Sequence, residues 1–548
     1  MNFSFHEKWD SVVIFSIGAI LFLPFLGGVH LFDWDEINFA ECSREMLLTG
    51  DYLRLQIDYR PFYEKPPLFI WLQVISMKIW GINEYGARFP NAVAGIVTLL
   101  LVYRLGKSYR DRQLGWLWVL CYTGSLLPYF YFKSGIIDPV FNLFIFLGIW
   151  QLSESKLKNT ILAGVFTGLA VLTKGPVALL LVMLTWLFFY IYQFINKLRA
   201  GTHKWQTFIT EAPYSKFLVY ICAVLLISGS WFAADYIKNG PDFLQKFITY
   251  QIRLFSTHDA GHKGFPGYHF VILLIGCFPA SVFSIQYLIK KGINEDKIFW
   301  LKSLFWVVLI LFSIVQSKIV HYSSACYLPL TFFAALTIDD IAKNKMHLYP
   351  ALSRMLAGIG VLLVLIIVLL PFLGNNTDLL KPYLAKDPFA MGNLEATVNW
   401  TYLICLPGIF LVLIIIARKY WMSKIKYHKS TILFLLGTTI FTTWIILLLP
   451  SRIEAYSQRA AINFYKSKSG EAGYVAVYGF KSYAHLFYAQ KPPKDDKGVV
   501  PSNQELLYSP ITKPVYVVCK INHLERLLGE IKCREIKREN GFVFLVRE

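Results

Sequence analysis

Charge is what this chain has least of. Only 16% of its 548 residues are Asp, Glu, Lys or Arg, against roughly a quarter in soluble domains. Acids are scarcer than bases, 35 against 54, which leaves a formal charge of +19. That scarcity excludes an ordinary soluble globule, and the 55% hydrophobic content points to lipid. The basic residues are scattered over short loops. This argues against nucleic acid as a partner and fits the positive bias of cytoplasmic loops. Cysteine is sparse as well: there are eight, with no C-x-x-C pair, so no structural zinc site is expected. Internal repeats and low-complexity tails are lacking. The first apolar run has no small-residue cleavage site, so it reads as a retained span, not a removable signal.

What is present is a succession of apolar runs, most of them long enough to cross ~30 Å of hydrocarbon. They lie at about 11–29, 84–104, 113–131, 136–153, 159–173, 176–196, 217–237, 267–289, 298–316, 319–338, 351–373, 399–418 and 430–450. Alternate loops are basic: Arg104, Lys107, Arg110 and Arg112; Lys156 and Lys158; Lys197, Arg199 and Lys204; Lys290, Lys291 and Lys297; Lys343 and Lys345; Arg418, Lys419, Lys424 and Lys426. Those loops and the N-terminus are expected in the cytoplasm. The break at Lys174-Gly175-Pro176 is read as a return between two crossings. The expectation is a polytopic α-helical membrane protein of about thirteen spans over residues 1–450, with an outer amphipathic segment at 30–83. Residues 451–548 are polar, with strand-like runs at 473–478, 514–518 and 541–546 and a helical pattern at 524–531. They predict a small α/β domain on the outer face. There Cys519 and Cys533 either pair or remain two buried thiols.

The few acids are concentrated between Leu31 and Pro67, in LFDWDEINFAECSREMLLTGDYLRLQIDYRPFYEKPP. Asp35-Glu36 opens an amphipathic pattern suited to a helix on the membrane surface, which Asp33 or Asp35 would cap. The pair is more acid than a cap requires. A carboxylate there can take a proton from an attacking group or align an acceptor. Glu64-Lys65-Pro66-Pro67 offers a point charge for a phosphate, with a snorkelling lysine as the simpler alternative. Asp138-Pro139 suits a helix start, or a second carboxylate that orients sugar or acceptor. Lys174, Arg253 and the cluster Lys318, His321 and Tyr322 put cations on the outer side, against the usual bias. A lipid-linked phosphate is an anion that would justify them. Glu64 with His258 and His262 is a candidate divalent-metal set; solvated histidines in a Gly-rich loop are the alternative, and no other cofactor is indicated.

Taken together, these motifs resemble the membrane-embedded GT-C glycosyltransferases, in particular the bacterial aminoarabinose lipid A transferases and the protein-O-mannosyltransferase-like group. The resemblance rests on Asp35-Glu36, Ala40-Glu41, Arg44 to Leu47, Gly50-Asp51, Tyr63 to Leu68 with Trp71, and Ala87 to Pro90. It continues through Asp138, Leu172 to Pro176, and Ser317-Lys318 with His321-Tyr322 and Leu328-Pro329. It implies transfer, with inversion, of a sugar from a polyprenyl phosphate to a lipid A-like, glycan or protein acceptor at the outer face of a bacterial inner membrane. By resemblance the catalytic residues would be Asp35, Glu36 and Asp138. Lys65, Arg253, Lys174, Tyr322 and Lys318 would hold the phosphate, supported by Glu64, Tyr63 and Asn38. One departure stands out: the relatives usually follow the acidic pair with a small residue, Arg and Tyr, where this chain has Ile37, Asn38 and Phe39. A lipid-linked sugar transporter is the competing class, and it would place its charges near the bilayer midplane.

Overall fold

Every one of the thirteen apolar runs is helical in the computed structural model, which describes residues 9–154, 156–201, 213–256, 264–290, 295–424, 427–495, 498–499 and 501–548. Among the described residues, eight helices are long and apolar enough to cross a membrane: Glu84–Tyr109, Val177–Arg199, Tyr214–Asn239, Asp296–Ile314, Val320–Ala342, Pro350–Asn375, Tyr402–Trp421 and Lys429–Ala455. The other runs are shorter or broken. Asp10–Phe22 has 13 residues, about 20 Å at 1.5 Å per residue. The 113–131 run divides into Arg112–Thr123 and Leu126–Tyr131, and the 267–289 run into Tyr268–Gly276 and Ala280–Ile289. The first break falls at Gly124, where an added Cβ would meet Thr438 Oγ1 at 2.7 Å. At the Lys174-Gly175-Pro176 break, Leu157–Lys174 ends, Gly175 takes a φ of +90°, and Val177–Arg199 begins.

Small residues set one close helix contact. Leu157–Lys174 packs on Tyr214–Asn239 through Gly164 and Gly168; a Cβ at Gly164 would lie 2.6 Å from that of Ala223. Between helices in lipid, such close approach supplies the packing that water-driven burial cannot.

The acidic segment forms the helix Asp35–Thr49, a short hairpin pairing Gln56–Ile57 with Arg60–Pro61, and the helix Leu68–Trp80. The expected surface-lying helix is corrected here: Asp35–Thr49 is buried at every position from Glu36 to Met46. Its polar side chains pair inside the protein instead of facing water. Arg44 grips Glu41 through two bonds of 2.7 Å, and Glu45 accepts from the backbone N–H groups of Asp58 and Tyr59. Ser43 donates to Gln73 at 3.0 Å. Gly50, at a φ of +69°, ends the helix.

What covers this helix is the C-terminal domain. Its sheet contains β1 (Tyr474–Tyr478), β2 (Val515–Lys520), β3 (Arg534–Glu539) and β4 (Phe542–Arg547), in the order β1-β2-β4-β3. Only β1 and β2 run parallel; the other pairs are antiparallel. One face packs on the helices Asn503–Tyr508 and Leu524–Glu530. The other shares a buried cluster with Leu31, Ile37, Ala40, Met77 and Ala87. Polar ties reinforce it: Arg44 and Tyr59 both donate to the Lys491 carbonyl, and Gln458 donates to that of Leu31. Cys519 and Cys533 are separate thiols, which leaves the unpaired alternative.

Candidate functional site

Helix ends and turns converge on one cavity of about 550 Å³. Asp35 and Asp138 each open a helix, and Pro139 stands just inside the second one. Lys174 closes Leu157–Lys174 just before the Gly175 turn. His321 and Tyr322 sit in the 3-10 turn Val320–Cys326. Lys65 precedes the two prolines that stiffen the entry to Leu68–Trp80. Tyr250 comes from the helix Asp242–Ser256. All of these residues line the cavity. The basic residues Lys156, Arg199 and Lys343 lie at the opposite ends of the same helices or their neighbours.

The carboxylates at its centre are linked. His321 Nε2 lies 3.3 Å from Asp35 Oδ2 and 3.9 Å from Asp138 Oδ2. Lys174 Nζ donates to Asp138 Oδ1 at 2.5 Å, and Ser324 Oγ stands 3.4 Å from the same oxygen. Asp138 is 1% exposed, and its Oδ2 has no hydrogen-bond partner among the described residues. Burial pushes the Asp35 carboxyl up, but the His321 bond and the charges of His321, Lys65 and Lys174 outweigh it and hold the group down to about 2. Asp35 is therefore an anion at neutral pH. Asp33 sits in the same cavity wall, where surrounding protein and the neighbouring Asp35 charge raise it to about 6 against the opposing pull of Ser482 and Lys520.

On the cationic side, Lys65 and Arg253 both stack on Tyr250, 5.5 and 5.1 Å from the ring centre. Tyr250 donates to Glu64 at 3.0 Å. Lys174 stands 5.5 Å over the Tyr322 ring and 5.3 Å over Phe141. A wall of this kind can offset an anion while aromatic faces hold its cations in place.

Several sequence expectations part company with this geometry. Glu36 reaches the cavity, but its carboxylate is spent on Arg88 through bonds of 2.9 and 2.7 Å and on the backbone N–H groups of Phe32 and Gly135. Arg88 in turn donates to the carbonyls of Leu26, Val29 and His30. Glu36 thus anchors the loop that carries Asp35. Lys318 gives its ammonium to the carbonyls of Phe312, Ser313 and Val315, the orphan acceptors at a helix end, and is turned away from the cavity. Tyr63 packs on Phe243 beneath Lys246, outside the cavity. Asn38 is buried, and with its amide turned to satisfy both groups it donates to the Trp34 carbonyl and accepts from the Trp34 indole, at 3.1 and 2.8 Å. Arg253 stacks on Tyr250 and is not part of the cavity lining. Of the expected metal set, His258 and His262 lie outside the described residues; among those described, no group of three such ligands forms.

A family described as dolichyl-phosphate-mannose-protein mannosyltransferase matches residues 64–228. The undecaprenyl phosphate-alpha-4-amino-4-deoxy-L-arabinose arabinosyl transferase of Photorhabdus laumondii is 27% identical over 364 residues, 64% of this chain and 63% of its own length. That of Pectobacterium atrosepticum is 26% identical over 436 residues, 74% of this chain and 75% of its own. The crystal structure of ArnT from Cupriavidus metallidurans bound to undecaprenyl phosphate superposes with a TM-score of 0.70 at 16% identity, covering 99% of this chain and 98% of that one. The chain shares the fold of that structure, a GT-C-type membrane architecture. What distinguishes this GT-C chain within its own cavity is His321, named in the sequence only as part of a polar cluster. It joins two carboxylates that the sequence read separately. Asp33 and Tyr250 were likewise missed as cavity residues. Asp33 had been read as a cap, and no motif around Tyr250 marks it.

Proposed function

We propose that this chain is a glycosyltransferase that moves a sugar from a polyprenyl-phosphate donor to a lipid A-like acceptor, with inversion, at the outer face of a bacterial inner membrane. The observation that carries the reading is the meeting, in one cavity, of the Asp35 carboxylate with Lys65, Lys174 and Tyr322. The printed names of the relatives and the undecaprenyl phosphate of the ArnT structure support the donor class. The basic loops at the far helix ends support an outward-facing site.

In this reading the bond from the anomeric carbon to the phosphate oxygen breaks, and a bond from that carbon to an acceptor oxygen forms on the opposite face. The electron pair leaves with polyprenyl phosphate, whose growing charge Lys65 and Lys174 offset, with Arg253 adding to the field behind Tyr250. The ring passes through oxocarbenium character, which a fixed anion favours. Asp35 is that anion. A carboxylate held down to about 2 is a weak base at neutral pH. It suits an acceptor that arrives already ionised, such as a phosphate, better than a hydroxyl that must surrender a proton. Asp138, bonded to Lys174 and beside His321, orients sugar or acceptor. The charges stand at helix ends, not at mid-helix, which favours transfer chemistry over transport.

The test is release of polyprenyl phosphate by the purified protein in nanodiscs supplied with a polyprenyl-phosphate sugar and lipid A. Asp35→Asn is expected to lower turnover by about 10²-fold or more while donor affinity stays within a few fold. Wild-type turnover in that variant would remove Asp35 from the reaction.

A further inference from the structure

Beside the central cavity stands a second set of cations, on the C-terminal domain and not on the membrane helices. Lys481 places its ammonium 4.3 Å over the ring of Trp34, a cavity residue, and the Tyr483 ring packs on Trp34 at 5.3 Å. Lys520, at the end of β2, lies 4.4 Å over Phe389 and 5.6 Å over Phe480. Its charge acts on Asp33, which is also part of the cavity wall. Among the described residues, neither Lys481 nor Lys520 forms an ion pair. Other lysines of the same domain do: Lys466 with Glu84, Lys468 with Glu471, and Lys491 with Asp58. The rings seat the two side chains and fix their stems, and neither ammonium is taken up in a direct ion pair, although the Lys520 charge also acts on Asp387.

We infer that Lys481 and Lys520 dock an oxyanion carried by the acceptor, and so make the C-terminal domain the acceptor-selecting wall of the site. The inference rests on the transfer reading above and deepens it. Lys65 and Lys174 serve the departing donor phosphate from the membrane helices. Lys481 and Lys520 approach from the other side, across Trp34 and Asp33. Two anionic substrates need two sets of cations if each is to be held while the bond between sugar and phosphate breaks. The chemistry asked of the acceptor is a phosphate or carboxylate close to its reacting group. The acceptor is lipid-borne, because the cavity wall also includes Pro450 and Ile453, at the end of the last long helix Lys429–Ala455. That places the mouth at headgroup depth, where an anion on a lipid meets an ammonium with little screening.

The experiment measures, on the full-length protein in nanodiscs, both transfer kinetics and binding of soluble glucosamine-disaccharide headgroups that are phosphorylated, carboxylated or neutral. The Lys481→Ala, Lys520→Ala double variant is expected to raise KM for lipid A about tenfold or more and to weaken the phosphorylated headgroup equally, with kcat and donor affinity near wild type. The Lys481→Arg, Lys520→Arg pair should restore both, which lost packing alone would not explain. Equal loss for the carboxylated headgroup supports an oxyanion site without phosphate selectivity. Unchanged KM and headgroup binding in the alanine pair, with donor affinity intact, overturns the inference. Wild-type protein that binds the charged headgroup through these lysines yet releases no polyprenyl phosphate overturns the transfer reading and leaves the docking site standing.

Discussion

His321 holds the two carboxylates of the cavity in one arrangement, 3.3 Å from Asp35 and 3.9 Å from Asp138. Its loss would leave Asp35 with only the more distant lysine charges to oppose burial. His321→Gln, which keeps a donor, is expected to slow transfer about tenfold, and His321→Ala about a hundredfold. Donor affinity measured on the same preparations should move by no more than a few fold, because the ring faces the carboxylates and not the cationic wall. Asp35, Asp138, Lys65 and Lys174 were legible because charge near the end of an apolar run is expensive and therefore conspicuous. Lys318 looked the same by that rule. It differs because three carbonyls left over at the end of Asp296–Ile314 claim its ammonium, and nothing in the local sequence signals which end a lysine will serve.

The helix Asp35–Thr49 has a consequence of its own for pH. Glu41 and Glu45 are both fully buried, with one arginine, Arg44, between them in sequence. Burial, together with the charge of Glu41, raises Glu45 well above its ordinary 4.5. Over the interval between that ordinary value and the raised one, the folded chain holds one proton more than the unfolded chain. Stability from this group therefore falls as pH rises. Glu45→Gln, neutral at any pH, should remove that slope. Melting temperatures taken between pH 6 and 9 are expected to decline in the wild type relative to the variant. Glu41→Gln should instead lower stability by about 3 kcal/mol, because it strands Arg44 as an uncompensated buried charge. The sequence showed this element as amphipathic but assigned it to the membrane surface. Its polar face is buried partly by Asp58, Tyr59, Gln73 and Arg88 and partly by the domain that begins after Pro450, which periodicity does not see. The same limit explains β3: Arg534 to Glu539 is almost wholly charged, an exposed edge strand with no alternation to mark it, whereas β1, β2 and β4 were plain from their apolar runs.

At the scale of the whole molecule, membrane part and C-terminal domain share a core. Leu31, Ile37 and Ala40 pack with Val477, Val518 and Phe544 in one buried cluster. A chain ending at Pro450 is expected to lose transfer entirely although every donor-side cation remains. The full-length protein should melt in a single transition, and the truncated one should show increased protease sensitivity around residues 31–60. Both are read from a thermal scan and a limited digest. The gross architecture of helical bundle plus small sheet domain could be read from hydropathy alone. The docking of one on the other could not, because it depends on shape. The Lys174–Asp138 pair carries a final implication for biosynthesis. Asp138 is almost wholly enclosed, yet the ammonium that balances it is encoded a full helix later, and His321 later still. A nascent chain released from the ribosome in between would hold an unbalanced anion at the lip of the bilayer. Insertion of this region is therefore expected to be completed only when the later segments arrive.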